Sequence, residues 1–505
     1  MIAVALVWVA FAWVVVPVVI ESAYRGENLP FLNAFISGQA IHPVEYYLSV
    51  WEDISWRVFG VLLVLGLIPL PLVGTGPAVQ NYLETRYSNA STLIPAVTNT
   101  ILAVVGFMLV FYLYYLHPVG YVYLISEDYW GEYASFVSWA MASCFLAWLL
   151  FKNPGFRKPG FVLLALGTFF VAMEEISWGQ RIVGLSSPTW FAKYNLQGET
   201  NLHNLGGFPE YSLLGFALLV WSILLALLAR KWRRLRQWCD KFGIPIVHIH
   251  LWPLFLLAIL YLIYQPMIRY DEMAELFLGF AMAALSLDLV LTMRRGAKVE
   301  GIQATAAAAG MMVTLGILTA FLVQFYSWPE GLKYELHSFA ATRFPNVGMY
   351  RQSEMVFDYI DQQPQFLISE TRFHRGLLLM QRGQHKKARE ILELSLAEQR
   401  QVQQKWPERP IPYRIAGQVL ALLGQREEAQ AAFLEAIQKD EARLERVKDA
   451  SDEARIRWSL GETFLAMGNF VAAAEQLSMA RALADPSTRF LIDQWIQRTE
   501  ALAAR

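Results

Sequence analysis

Apolar residues in the first two thirds of the chain fall into long runs broken by short polar segments. Nine runs stand out: Ile2–Ile20, Val58–Val73, Leu93–Leu116, Tyr133–Phe151, Gly160–Ile176, Tyr211–Leu228, Ile244–Tyr264, Met273–Leu291 and Ala304–Phe325. Each approaches the ~17–25 residues a helix needs to cross a bilayer. The second is short and carries Pro69 and Pro71. The pattern predicts an all-α protein: a polytopic membrane helix bundle of about nine spans over residues 1–328, then a soluble α-helical domain over 329–505. The first run lacks a basic n-region and a small-x-small cleavage site, so it reads as a retained span instead of a signal peptide.

Lysine and arginine set the expected orientation. The segments KNPGFRK, RKWRRLRQWCDK and MRRGAK follow the fourth, sixth and eighth runs, and dense positive charge belongs on the cytoplasmic side. Nine spans then place the N-terminus in the cytoplasm and everything after Phe325 in the periplasm of a bacterial inner membrane. Tyr326 and Trp328 would anchor the last span at the outer interface.

After Pro329 the pattern changes to that of a soluble helical domain. Gly376, Gly383 and Ala388 stand seven and then five residues apart, and the spacing repeats at Gly417, Gly424, Ala429 and at Gly461, Gly468, Ala473. Four residues after each Ala comes Leu392, Phe433 or Leu477. Small residues let two helices approach, and the large ones pack each pair. "AGQVLALLGQREEAQAAFLEAI" and "LGETFLAMGNFVAAAEQLSMARALADP" resemble tetratricopeptide (TPR) repeats, although the units stand 41 and 44 residues apart, beyond the usual ~34. Residues His337 to Ile368 would form a leading helical cap. The resemblance implies a surface that recruits a protein partner.

The acids are placed less predictably. Glu174 and Glu175 close the fifth run, in VAMEEISWGQRIVG. A charge at the bilayer centre costs roughly 2.5–3.5 kcal/mol, and a helix C-terminus disfavours acids further. At helical spacing Glu174, Ser177 and Arg181 share a face, while Glu175 lies alongside Trp178 and Gly179. Arg181, His203 or a bound divalent cation would compensate the pair. Glu127, Asp128 and Glu132 begin the fourth span, and Asp271, Glu272 and Glu275 the eighth, all at the same outer depth. There the macrodipole alone accounts for Glu132 and Asp271. The loop LQGETNLHNLGG adds Gln197, Glu199, Asn201, His203 and Asn204, after a segment that reads as an interfacial helix capped by Ser187.

An acidic pair before one span, EEISWGQR after the next, ETNLHN in the loop and an acidic start to a later span resemble a widespread bacterial family of polytopic membrane proteins, over about residues 119–291. The resemblance implies that these residues form one site and specifies no reaction. The candidates for chemistry are Glu127, Asp128, Glu174, Glu175, Arg181 and His203. Gln180, Gln197, Glu199, Asn201, Asn204 and Glu272 are candidates for binding.

Elsewhere, His248 and His250 stand two apart near the inner start of the seventh span and so on different helix faces, which suggests a structural role. Asp288, near the inner end of the eighth, is within snorkelling reach of Arg294 or Arg295. The first outer loop holds Glu21, Glu27, His42 and Glu45.

Composition narrows the classes. The chain is 55% hydrophobic and 17% charged, against about a quarter charged in an average soluble domain. A net charge of −1 gives no electrostatic case for nucleic acid. The two cysteines, Cys144 and Cys239, make neither a disulfide framework nor a CxxC metal site. Nucleotide-loop, HExxH and GxSxG motifs are absent. Clustered carboxylates with one histidine at headgroup depth suit binding or processing of an envelope lipid or lipid-linked glycan. Alternatives are a membrane-anchored TPR scaffold of an assembly or export complex, and a glycosyltransferase of the multi-span lipid-sugar-dependent (GT-C) type using Glu21 or Glu27. A transporter would want its charges nearer the midplane.

Overall fold

The computed structural model describes residues 90–183, 187–188, 191, 195, 199–202, 211–264, 268–295, 301–327, 329–484 and 486–503. The first two apolar runs, the first outer loop and most of the 184–210 segment, including the expected interfacial helix, lie outside the described residues. The described chain is all-helical. The N-terminal part of the described chain comprises α1 (Ala90–Leu116), α2 (Pro118–Ile125), α3 (Trp130–Lys152), α4 (Pro159–Glu175) and α5, which runs from Tyr211–Leu219 through a π turn at Val220–Leu225 into Ala226–Lys231. It continues with α6 (Arg233–Phe242), α7 (Trp252–Tyr264), α8 (Tyr270–Arg295) and α9 (Gly301–Tyr326). Among the described residues three stretches are long and apolar enough to cross a membrane, Ala96–Leu116, Trp130–Lys152 and Tyr270–Leu291. Two shorter apolar stretches, Ile249–Leu262 and Thr314–Tyr326, accompany them.

Two helices were not foreseen as elements. The chain turns at His117, whose side chain accepts from Gly120 N–H, and Pro118 starts α2 where a missing N–H costs nothing. The basic RRLRQWCDKF forms α6, ended by Gly243 in the left-handed region.

Helix α4 displays how the bundle packs. Ala165, Thr168 and Ala172 are buried, whereas Leu163, Leu166 and Phe169 point outward and are at least half exposed. A small-residue face against protein and a large apolar face outward is the arrangement expected where lipid, not water, surrounds the helix. Ile317, Phe321 and Phe325 make a similar outward stripe on α9. Helices α3 and α8 approach closely at Gly279, where a Cβ would lie 2.9 Å from the Trp139 indole nitrogen. Gly131 is tighter, since a Cβ there would run into the Leu124 carbonyl.

Composition breaks at Pro329, but the core does not. Helix α10 (Pro329–Ser338), a π turn at Phe339–Arg343, the one-turn helix Phe344–Asn346 and α11 (Tyr350–Gln362) contribute Leu336, Phe339, Phe344, Phe357 and Ile360 to the same buried cluster as Tyr121, Phe255 and Met273. The Gln352 amide donates to the Tyr115 carbonyl at 3.0 Å, and the Tyr123 and Tyr359 hydroxyls meet at 2.9 Å.

Beyond residue 370 the helices come in pairs: α12 (Thr371–Gln381) with α13 (His385–Lys405), α14 (Ile411–Leu422) with α15 (Arg426–Leu444), and α16 (Ala450–Ala466) with α17 (Phe470–Leu483), followed by α18 (Pro486–Ala503). The turn glycines Gly383, Gly424 and Gly468 all have φ between +71 and +83°, a conformation L side chains resist. Within each pair Gly376, Gly417 and Gly461 face Leu392, Phe433 and Leu477, with room for no Cβ. Ala388, Ala429 and Ala473 are buried.

Candidate functional site

Glu174 and Glu175 stand at a break in the helix. Helix α4 ends at Glu175, and Ser177 and Trp178 have φ of 47 and 57°. Helical spacing therefore stops two residues before the Ser177–Arg181 face expected from sequence. The reversal swings the Trp178 indole back, so its N–H donates to Glu174 Oε1 at 2.6 Å. The Leu202 backbone N–H donates to Glu174 Oε2, also at 2.6 Å. Two donors answer the charge that the helix dipole disfavours.

Around that pair runs a buried polar network. The Ser177 hydroxyl donates to Glu199 Oε2 at 2.5 Å, and the Asn201 amide donates to both Glu199 Oε2 and Ser177 Oγ, at 3.0 and 2.9 Å. Asn195 donates to Asn201 and accepts from the Glu199 N–H. Gln180 accepts from the Thr200 N–H and donates to Ser187. Glu174, Gln180, Glu199 and Asn201 thereby meet around residues 199–202. Gln197, His203 and Asn204 lie outside the described residues, as does the Arg181 side chain.

A second network forms where α2, α3, α8 and α10 meet. Asp128, buried and at φ 59°, donates its N–H to Glu132 at the first turn of α3. The Tyr133 hydroxyl reaches Asp128 Oδ1 at 3.2 Å and the Tyr326 carbonyl at 3.1 Å. At its centre stands Arg269, which sequence reasoning passed over. Its guanidinium pairs with Glu272 and lies 3.8 Å from both Glu127 and Glu335; Arg343 stands 3.5 Å from Glu335. Burial alone would lower the Arg269 pKa, but the carboxylates of Glu272, Glu335 and Asp271 hold it above its ordinary range. The signal was present: Arg269 is a lone cation directly before the acidic YDEMAEL.

Glu175 links the two networks. It is half-buried, within electrostatic range of Glu272 and Glu174, with Ser135 alongside. Asp271 in turn lies in range of Glu272 and Arg269. One end of the bundle thus gathers Glu127, Asp128, Glu132, Glu174, Glu175 and Glu272 around Arg269 and a polar loop, with Arg343 nearby. Among the described residues, the non-glycine positions with positive φ are Asp128, Ser177, Trp178 and Arg269, and all four belong to this site. Each such residue costs about 1–3 kcal/mol and persists only where its surroundings enforce it. Such an assembly can bind cations or polyhydroxyl groups and exchange protons; among the described residues its acids do not bring three ligand atoms close enough to hold an ion.

No protein-family model, curated protein or solved structure matches the chain.

Proposed function

We propose that this is a multi-pass protein of a bacterial inner membrane whose outward polar site binds or processes the headgroup of an envelope lipid or lipid-linked glycan. Its paired C-terminal helices form a TPR-like surface that recruits a protein partner. The observation that carries the proposal is the convergence of six carboxylates and four left-handed backbones at one end of an otherwise apolar bundle. Strain and clustered like charge cost stability, and they gather where a ligand is handled. The basic segments support the orientation, since Lys158 reaches the Asp240 carbonyl at the opposite end. The nine-span topology, cytoplasmic N-terminus and periplasmic C-terminal domain follow from that charge asymmetry.

A second reading has its own support. Arg269 ties Glu127 and Glu272 of the membrane part to Glu335 of α10, which is what a scaffold holding a helical domain against a membrane would need. The glycosyltransferase alternative rests on Glu21 or Glu27, outside the described residues.

Native mass spectrometry of the protein extracted in mild detergent separates the first two. Under the headgroup proposal the wild type retains a specific lipid or lipid-linked sugar, and Glu175→Gln, which keeps shape and loses charge, releases it while remaining folded. A wild type carrying only bulk phospholipid, or a variant that retains the same ligand, would leave the scaffold in its place.

A further inference from the structure

At the opposite end of the bundle lies a cluster that the outer site does not use. The segment before α7 is not an α-helix: residues 244–248 have no regular secondary structure, His248 is extended, and Ile249–Leu251 form a single 3-10 turn. The two-residue offset that would separate His248 and His250 on a helix instead brings both rings to one carboxylate. His248 Nδ1 lies 2.7 Å from Asp288 Oδ2, and His250 Nε2 lies 3.2 Å from Asp288 Oδ1. Asp288 on α8 is therefore turned to the histidines; the side chains of Arg294 and Arg295 lie outside the described residues.

We propose that His248, His250 and Asp288 form a binding site for a divalent transition-metal ion, Zn2+ in the first instance, at the basic end of the bundle. One ligand atom from each residue lies within 4.8 Å of the others. Donors around one tetrahedral Zn2+, at bonds of ~2.0–2.1 Å, stand roughly 3.3 Å apart, so the His250–Asp288 pair already has the required separation. A small rotation of the His248 ring opens the shorter contact. That ring is 49% exposed, whereas the side chains of His250 and Asp288 are 13 and 10% exposed.

Buried Asn99 on α1 donates to the His250 carbonyl at 2.8 Å, fixing the turn that presents the ring. Three separate elements thus converge: α1, the 244–251 segment and α8. Two nitrogens and one carboxylate oxygen suit borderline ions such as Zn2+, Fe2+ or Co2+ better than Mg2+ or Ca2+. Three protein ligands leave coordination positions open towards the exposed face of His248. Arg230 and Arg236 lie within electrostatic range of that ring, so the open positions favour an anionic oxygen ligand. The competing arrangement is a metal-free triad in which the two imidazoles each donate an N–H to Asp288. It accounts for the distances equally well, and metal binding distinguishes the two.

The test uses the full-length protein in detergent, stripped with a chelator and dialysed against Zn2+ or Co2+. Elemental analysis should find about one equivalent of Zn2+ per chain, and Co2+ should give the visible bands of a nitrogen–oxygen site. Zn2+ should also raise the melting temperature. Asp288→Asn and His250→Ala should lose the ion. His248→Ala, whose ring is half exposed, should stay folded and, against its own stripped form, lose both the Co2+ bands and the Zn2+-induced shift. A wild type without stoichiometric metal, or a folded His248→Ala protein that binds Zn2+ as tightly as the wild type, would overturn the site.

Discussion

Arg269 is the residue on which the acidic site turns. It sits at φ 57° and neutralises acids from three elements, with Glu127 before α3, Glu272 on α8 and Glu335 on α10. Removing one member of a partly buried pair leaves charge without compensation, which costs about 3–5 kcal/mol. Arg269→Ala should therefore melt well below the wild type in detergent, and an unchanged melting temperature would mean that the acids are compensated elsewhere. A second residue-scale effect concerns His337 and His374, which meet at 3.1 Å between α10 and α12. Burial, and for His337 the nearby His374, lower their pKa values to about 3 and about 4. Both stay neutral in the folded protein, whereas the unfolded chain protonates them near ~6.5. Below that pH the unfolded state binds more protons, so their contribution is complete above about 6.5 and drains away as pH falls towards 4. Melting temperature should drop across that window, and less steeply in His374→Gln. Parallel pH profiles would contradict this.

At the scale of elements, what was legible depended on whether pattern alone decides the structure. The apolar run Gly160–Ile176 appears as α4, Pro159–Glu175, because seventeen residues without a competing signal have few other options. The glycine spacings after residue 370 carried the turns and the close approaches together. The break after Glu175 was not legible, since tryptophan at positive φ contradicts local preference and is imposed by Glu174 and the 199–202 segment. The 3-10 turn at Ile249–Leu251 was hidden for a similar reason: tertiary pairing with Asp288 and Asn99 overrides the apolar run in which it sits. The position of Arg269 among acids from distant segments is a property of the fold, and no local pattern encodes it. The helix pairs allow a clean separation of causes. Gly417→Ala places a methyl 2.7 Å from the Phe433 ring and should destabilise by overpacking, about 1–3 kcal/mol. Gly424→Ala meets no atom but keeps φ +83°, so the cost is conformational, about 1–2 kcal/mol. Gly424→Asn should recover much of that loss because asparagine tolerates the left-handed region, while Gly417→Asn should not recover; chemical denaturation of the four variants reads the pattern. Equal behaviour at both positions would contradict the pairing.

The whole molecule, as far as it is described, sets two polar ends against an apolar middle. The acids, Arg269 and α10 stand at one end; Lys158, α6 and the His248–His250–Asp288 cluster stand at the other. Leucines and phenylalanines of α4 and α9 face outward between them. The shared core of α2, α10 and α11 fixes the C-terminal helices to the acidic end, so sidedness of one is sidedness of the other. Labelling with a membrane-impermeant maleimide tests this most directly. In a protein with Cys144 and Cys239 replaced by serine, single cysteines are placed at Glu330, exposed on α10, and at Arg234, exposed on α6. In intact spheroplasts the reagent should modify Glu330→Cys and spare Arg234→Cys until the membrane is permeabilised. Labelling of Arg234→Cys with protection of Glu330→Cys would put the acidic site in the cytoplasm, and equal labelling of both would remove the membrane from between them.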